Sequence, residues 1–251
     1  MPVTPYYEQD GIMIYHGDCR EVLPRIGNVF DCVIADPPYG QTSLFWDVPV
    51  DGWPQFLGLK SSGSVWCFGS MRSFLASSDF IGWKLAQDVI WEKHNGSNFH
   101  NDRFRRVHEQ IAHWYRGTWE AVYKSPVFTM DATARAVRRK TRPPHTGHIE
   151  AGSYRSEDGG PRLQRSVIRV RSCHGVAENE TQKPVGILFP LVEYSCPPGG
   201  ILCDPFAGSG STGVAAKLSG RSAVLIEIRE QQCEIAAKRL AQGALPLEMG
   251  A

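Results

Sequence analysis

The chain has 251 residues, of which 42% are apolar and 21% are charged, and its formal net charge is +1. This length predicts one domain of ordinary size, or one domain with an insertion, and the composition is typical of a soluble globular protein. Residues 1–10 show no targeting pattern, no apolar run could span a bilayer, and the seven scattered cysteines contain no Cys-x-x-Cys. These features argue against a membrane protein and a disulfide framework, so a cytoplasmic location is expected.

The first predicted elements are a short strand, Ile12–Tyr15, and a helix that carries Val22, Leu23 and Ile26 on one face. Asp18 lies between them and suits the N-cap of that helix. The same carboxylate also stands at a strand end, where open α/β sheets place their ligands. Both interpretations of Asp18 stay open on the sequence.

The next predicted strand, Val33–Ala35, runs directly into Asp36-Pro37-Pro38-Tyr39. Each proline lacks a backbone N–H, so the strand stops at Asp36. The carboxyl end of this strand then presents a carboxylate, unpartnered carbonyls and an aromatic ring. The oxygens could accept hydrogen bonds from the amino group of a planar amine, and the ring could stack on its face. The plainer alternative is a turn with a helix-capping aspartate. The loop that follows, Gly40–Pro49, contains Phe45 and Trp46 and could move on ligand binding.

Strands and helices alternate through the first half of the chain. The predicted elements are strand Ser64–Phe68, helix Met71–Phe80, strand Gln87–Trp91 and strand His108–Tyr115. This alternation predicts a parallel sheet with helices on both faces.

The segment from Arg116 to Val176 breaks this pattern. It carries 12 Lys and Arg against 5 Asp and Glu, a net charge of +7, so the rest of the chain carries −6. It shows little apolar periodicity and contains a basic cluster of Arg138, Arg139, Lys140 and Arg142. A flexible loop is one interpretation, but the charge favours a nucleic-acid-binding insert. Its histidines and cysteine, His145, His148, His174 and Cys173, fit no common zinc spacing, and no metal is expected.

Regular structure resumes with a predicted helix, Val185–Tyr194, and a strand, Gly200–Asp204. A G-x-G-x-x-G pattern at Gly208, Gly210 and Gly213 follows, then a helix and a strand that ends at Glu227. Glycines let the backbone approach a ligand closely. A carboxylate at the end of the next strand can accept hydrogen bonds from the two hydroxyls of a ribose. NAD and S-adenosylmethionine both fit. Asp204 separates them, because a carboxylate there would repel a pyrophosphate but suits a cationic ligand.

Three stretches resemble motifs of the DNA methyltransferases that act on exocyclic amino groups. They are Asp36 to Tyr39, Thr181-Gln182-Lys183-Pro184, and Asp204-Pro-Phe-Ala-Gly-Ser-Gly210. Their order, with the basic segment between them, is similar to the permuted β class of that family. One departure is Asn179-Glu180, where the family usually has His-Pro.

The resemblance implies an S-adenosylmethionine-dependent, Rossmann-like α/β fold that is circularly permuted. Its domains would be a catalytic half at 1–115, a target-recognition insert at 116–176 and a cofactor half at 177–251. It places Asp18 near the cofactor adenine and Lys183 on the methionine carboxylate. The cofactor residues it implies are Asp18, Thr181, Lys183, Asp204, Phe206, Ala207, Gly208, Ser209, Gly210 and Glu227, and the catalytic residues are Asp36, Pro37, Pro38 and Tyr39.

The function expected from the resemblance is methylation of adenine N6 in double-stranded DNA, since Asp-Pro-Pro-Tyr is the more usual adenine form. N4-cytosine methylation is the alternative within the family. A nicotinamide-dependent oxidoreductase and a catalytically silent DNA-binding protein are the alternatives outside it. No membrane partner is expected, and a homodimer stays open beside a monomer.

Overall fold

A computed structural model describes residues 3–96, 102–139, 152–173 and 182–242. The chain divides into two compact units, one built from Met1–Ser125 with Ser166–Ala251 and the other from Pro126–Arg165. The smaller unit therefore lies inside the basic segment 116–176. Across the residues that the model describes, no helix has the length and apolarity needed to cross a bilayer.

The described residues form strands and α-helices that are numbered here in chain order. The strands are β1 Tyr7–Gln9, β2 Ile12–His16, β3 Phe30–Ala35, β4 Leu59–Gly69, β5 Lys84–Glu92, β6 His108–Tyr115, β7 Phe128–Thr129, β8 Arg135–Arg139, β9 Gly152–Ser156, β10 Arg162–Leu163, β11 Val167–Arg169, β12 Ile201–Asp204 and β13 Ser222–Glu227. The helices are α1 Cys19–Ile26, α2 Met71–Ala76, α3 Val185–Ser195, α4 Ser211–Leu218 and α5 Glu230–Ala241. Single 3₁₀ turns cover Trp53–Phe56 and Trp119–Ala121.

The larger unit contains a nine-stranded sheet in the order β1-β2-β13-β12-β3-β4-β6-β5-β11. The strands from β2 to β4 in that order are all parallel, which confirms the predicted mostly parallel α/β sheet. β6 is antiparallel to both β4 and β5, which the alternation of elements did not predict. Because β6 runs against its neighbours, its amino end reaches the edge where β3, β4 and β12 have their carboxyl ends.

The core lies on both faces of this sheet, as alternation along its strands requires. On β3, Cys32 and Ile34 pack into one cluster with residues of α3, α4 and α5. Val33 and Ala35 point to the other face and pack with residues of α1. A strand buried on both faces reads as a continuous apolar run, and this is why β3 was predictable from its sequence.

Asp18 caps the start of helix α1, because its side chain accepts a hydrogen bond from the backbone N–H of Arg20 at 2.8 Å. Gly27 caps the end of the helix with a φ of 62° and donates its N–H to the Leu23 carbonyl. Such a left-handed C-cap favours glycine. Helix α2 is shorter than predicted, because Ser77 already stands outside it in an extended conformation.

The smaller unit contains two antiparallel strand pairs, β7 with β10 and β8 with β9. The sequence predicted an irregular segment here, and it also missed β11, which extends the large sheet beside β5. All of these strands have two to five residues, and most of their described side chains are exposed, so no apolar alternation marks them. Backbone hydrogen bonds between Ala132 and the turn at Gly159 and Gly160 hold this unit together.

Candidate active site

The two halves of the larger unit meet where β3 pairs with β12, with Cys32 beside Leu202 and Val33 beside Cys203. Both strands end at the same edge of the sheet, β12 with Asp204 and β3 just before Asp36. A cavity of about 1340 Å³ opens at this edge, and both carboxylates line it. The catalytic and cofactor residues predicted from distant parts of the sequence therefore meet in one cavity.

Asp36 is held by a residue of its own loop and by a lysine that lies just before α3. Its Oδ1 accepts a hydrogen bond from the hydroxyl of Tyr39. Its Oδ2 lies 2.5 Å from the Nζ of Lys183. Pro37, Pro38 and Tyr39 line the same cavity, and the ring of Tyr39 packs against the core. The stiff proline pair thus holds a carboxylate and an aromatic ring in fixed relation, as the sequence predicted.

Lys183 has partners that the sequence analysis did not anticipate. It was predicted to pair with a methionine carboxylate, and the structure places its Nζ between Asp36 and Glu109, 3.4 Å from the Glu109 Oε2. Glu109 is the second residue of β6, and its Oε1 is bonded to Lys93, which follows β5. In the sequence, the one feature that points to Glu109 is that the first residues of the strand are polar while the rest are mostly apolar.

Burial and neighbouring charges shift the pKa values of these groups in different directions. Burial raises the pKa of Asp36, Lys183 opposes that rise and Glu109 adds to it. Burial alone would raise the pKa of Glu109, but Lys183 and Lys93 lower it below its usual value. Burial alone would lower the pKa of Lys183, but Asp36 and Glu109 raise it. Lys183 therefore stays charged at neutral pH.

The loop after β12 supplies the second half of the site. Asp204 is buried, its Oδ1 accepts from the backbone N–H of Phe206 at 2.9 Å, and burial raises its pKa to about 7. Gly208 has a φ of 51°, a conformation that favours glycine, and its N–H donates to Glu227 at 2.8 Å. Glu227 ends β13 and also accepts from the backbone N–H of Arg229 at 2.9 Å.

Most of the predicted cofactor residues line the cavity. They are Asp18, Lys183, Asp204, Phe206, Ala207, Gly208, Ser209 and Glu227. Asp18 caps α1 and also lines the cavity, and its role in binding the cofactor stays a prediction. Gly210 is not among the lining residues. It precedes α4 with a φ of 79°, and a Cβ there would lie 2.9 Å from the Cβ of Ala236, so its visible role is close packing. Thr181 lies outside the described residues.

The loop from Gly40 to Pro49 closes one side of the cavity. Asp47 organises it by accepting hydrogen bonds from the backbone of Gly40, Gln41 and Thr42 at 2.7 to 2.9 Å. The ring of Trp46 lies 4.5 Å from the guanidinium of Arg229 and lines the cavity.

Basic residues appear at two separate places. Arg138 is exposed on β8 of the smaller unit, and β8 ends at Arg139, whose side chain is not described. Lys140 and Arg142, like His145, His148 and His174, lie outside the described residues. Arg105 and Arg106, which the sequence analysis missed, line the cavity beside Glu109. Their signal was the run Arg103-Phe104-Arg105-Arg106, in which Phe104 is 99% exposed.

Comparison with solved structures places this fold among DNA methyltransferases. The M1.HpyAVI–SAM complex superposes with a TM-score of 0.58 at 22% identity, covering 90% of this chain and 98% of that one. The cytosine-N4-specific PvuII DNA methyltransferase superposes with a TM-score of 0.66 at 13% identity, covering 94% of this chain and 89% of that one. At these identities the likeness establishes the fold.

Sequence comparison identifies the family. The type II methyltransferase M.HinfI of Haemophilus influenzae is 28% identical over an alignment that covers 90% of this chain and 67% of that protein. The model of the DNA methylase family that comprises N6 and N4 enzymes matches residues 30–238, most of the chain. The chain therefore belongs to the N6/N4 family of DNA methylases.

Proposed function

We propose that this protein is a site-specific DNA methyltransferase that transfers a methyl group from S-adenosylmethionine to adenine N6. The observation that carries the proposal is the placement of Asp36 and Asp204 in one cavity, at the adjacent ends of β3 and β12. Such a position at the carboxyl ends of strands is where open α/β sheets bind ligands. S-adenosylmethionine is the methyl donor used by this family, and it supplies an electrophilic methyl group on a sulfonium.

The cavity fits a ligand that combines a positive charge with a ribose. Its cofactor side presents three carboxylates, Asp18, Asp204 and Glu227, and the backbone of Gly208. Asp204 would face the ammonium of the ligand. Glu227 already accepts hydrogen bonds from the backbone N–H groups of Gly208 and Arg229, and its remaining lone pairs would accept hydrogen bonds from the ribose hydroxyls. A pyrophosphate would meet repulsion from the same carboxylates, which disfavours the nicotinamide alternative.

The catalytic side would act on a base that has left the DNA stack, because the target amine is out of reach inside a duplex. Asp36 and the Pro37 carbonyl would accept from the amino group, and the ring of Tyr39 would lie against the base. A negative Asp36 would stabilise the positive charge that grows on the nitrogen as its lone pair takes the methyl carbon and the bond from that carbon to the sulfonium breaks; the methylated nitrogen would then release one proton. Holding the amine in line supplies much of the acceleration. The intact Asp36 to Tyr39 stretch also speaks against a catalytically silent protein.

Adenine is proposed as the target because the motif begins with aspartate, the form more usual in N6-adenine enzymes of the family. Incubation with S-adenosylmethionine and mixed DNA, followed by digestion and mass spectrometry of nucleosides, tests this assignment. N6-methyladenine is the expected product. N4-methylcytosine would overturn the base assignment and leave the transfer chemistry intact. No methylated nucleoside would overturn the proposed function.

The basic segment 116–176 is proposed as the target-recognition insert. Arg138 supports this role, since it is exposed on the compact unit Pro126–Arg165. We further propose that Arg105 and Arg106 contact phosphates next to the displaced nucleotide, because both line the cavity that contains Asp36.

The cytoplasm is proposed as the location, since six of the seven cysteines are buried thiols and not disulfides. The homodimer stays a prediction that sedimentation at two protein concentrations would test.

Neutralising Arg138, Arg139, Lys140 and Arg142 together should weaken DNA binding. If all four contact phosphates, the slope of log affinity against log salt should flatten by up to about 0.9 for each lost contact. Titration of labelled DNA at several salt concentrations measures the slope, and S-adenosylmethionine affinity, measured by calorimetry, should hardly change. A slope equal to that of the wild type would mean that the cluster is only a solvated surface.

A further inference from the structure

Four charged side chains form a row of alternating sign behind the candidate methyl-transfer centre. Lys93 is bonded to Glu109, Glu109 lies 3.4 Å from Lys183, and Lys183 lies 2.5 Å from Asp36. Their side chains are 10 to 24% exposed, and they come from four separate places in the chain. The row carries two positive and two negative charges, so its formal charge is zero.

Aromatic rings restrict the two ammonium groups. The Nζ of Lys183 lies 5.3 Å from the centre of the Phe68 ring, and the Nζ of Lys93 lies 4.6 Å from that of the Trp91 ring. Attraction between a cation and a ring face adds to the ion pairs. Both lysines are therefore held by at least two groups, and Lys183 by three.

We propose that Glu109 and Lys93 are positioning residues of the methyl-transfer centre, which hold the ammonium of Lys183 beside Asp36 so that this carboxylate keeps its cationic partner and its orientation. This inference rests on the proposed function of Asp36 as the acceptor for the target amine. Glu109 lies 3.4 Å from the Nζ of Lys183, and Lys93 balances the charge of Glu109. Neither Glu109 nor Lys93 is proposed to touch the reacting atoms.

Electrostatics explain why such a row is needed. A carboxylate that is largely buried tends to take up a proton, and a protonated Asp36 would lose the negative charge that is proposed to stabilise the attacking nitrogen. Lys183 opposes that protonation, but a mobile lysine could leave Asp36 for the cavity. Among the described residues, the charged or titratable groups that interact with Asp36 include Lys183, Glu109, Tyr39, Cys67 and Asp204.

The row predicts how the pKa of Asp36 changes when another member is neutralised. Lys183→Met removes the adjacent positive charge and should raise this pKa. Lys93→Met should raise it by less. Glu109→Gln removes a negative charge, which by itself would lower the pKa of Asp36, but it also releases Lys183, so a positioning role predicts that the pKa rises. The control is Lys238→Met, which breaks the exposed pair with Glu234 on α5 and should leave Asp36 unchanged.

The test is a ¹³C NMR titration of aspartate-labelled, ligand-free protein, in which the Asp36 signal is assigned by its loss in Asp36→Asn. A higher Asp36 pKa in Glu109→Gln would support the proposal, because loss of the Glu109 charge alone would lower it. An unchanged or lower pKa in that variant would overturn the proposal. Glu109→Asp keeps the charge but shortens the reach to Lys183, so it decides in the same way if Glu109→Gln does not fold.

A second readout is the pH dependence of single-turnover methyl transfer at saturating cofactor and DNA. The acid limb of the profile should move in the same directions as the NMR titration. A purely structural role would lower the rate of both variants without moving the limb, which would contradict the proposal. If the wild-type protein transfers no methyl group at all, the proposed function fails, a result distinct from active variants with an unmoved limb.

Discussion

Replacement of Asp36 by alanine is expected to reduce methyl transfer by at least about 10²–10³-fold, the loss typical of removing one preorganised charge-stabilising group. The reason is that Asp36 acts on the attacking nitrogen, and this interaction matters most as the new bond forms. Cofactor affinity and DNA affinity should change little, since the cofactor residues at Asp204 and Glu227 stand on other strands. Lys183 would keep Glu109 as a partner, so the protein should fold.

Single-turnover transfer of labelled methyl groups measures the effect, with Lys238→Met as a matched surface control. Asp36→Asn is the sharper variant, because it keeps the shape and one carbonyl acceptor for Tyr39 but loses the negative charge. We expect a large but smaller loss of rate than for alanine. Full activity in Asp36→Ala would remove the whole Asp36 to Tyr39 stretch from the catalytic assignment.

Two substitutions of Tyr39 distinguish the role of its hydroxyl from that of its ring. Tyr39→Phe keeps the ring and loses only the hydrogen bond to Asp36, so it should retain most activity. Tyr39→Ala removes the stacking surface, which is worth about 1–3 kcal/mol per base in other stacked complexes. Its main effect should be on use of the DNA substrate. Equal losses in both variants would assign the role of Tyr39 to its hydroxyl and not to its ring.

The sequence predicted those parts of the fold that are buried on both faces. The apolar run Cys32–Ala35 of β3 stops just before Asp36, and the apolar run of β13 ends at Glu227, so a polar residue marks the edge of the sheet in both. The strands of the smaller unit were missed because they are short and mostly exposed, so burial leaves no pattern in them. The direction of β6 was also unpredictable, since an apolar strand reads the same in either orientation.

The same limit explains which site residues were found. Asp36, Asp204 and Glu227 are acids at the ends of predicted parallel strands, so the rule for ligand sites located them. Glu109 stands at the beginning of its strand, and only the antiparallel pairing of β6 with β4 brings it to the same edge, with Gln110 beside Gly69. The contact of Lys183 with Asp36 joins positions 147 residues apart. No local pattern encodes such a contact.

Asp204→Asn is expected to weaken S-adenosylmethionine binding and, at neutral pH, to stabilise the ligand-free protein. Burial raises the pKa of Asp204 to about 7, so the ionised form is costly in the folded state. Its folded pKa lies above the unfolded value of about 3.9. The contribution of this carboxyl to stability is therefore full below about pH 4 and falls as the pH rises to about 7. Asparagine keeps an oxygen for the Phe206 N–H and avoids that cost.

Cofactor affinity should show the opposite pH dependence. A cationic ligand favours the ionised carboxylate, so the wild-type protein should bind S-adenosylmethionine more tightly at pH 8 than at pH 6. Asp204→Asn should bind weakly at both values and lose this difference. Calorimetry on the two proteins measures affinity, and thermal unfolding without ligand measures stability. Equal affinities in variant and wild type would mean that Asp204 does not bind the ammonium group of the ligand.

Gly208→Val supplies an independent test of the same half of the site, because it changes no charge. Its backbone has a φ of 51°, which strains a β-branched residue, and its N–H positions Glu227. Binding of S-adenosylmethionine should weaken at pH 6 and at pH 8 by the same factor, whereas Asp204→Asn removes the difference between the two values. If the glycine and aspartate variants behaved identically across pH, charge would not be the reason that Asp204 stands in this cavity. A difference between the two variants in the pH dependence of affinity would show that Gly208 contributes through the shape of the site and Asp204 through its charge.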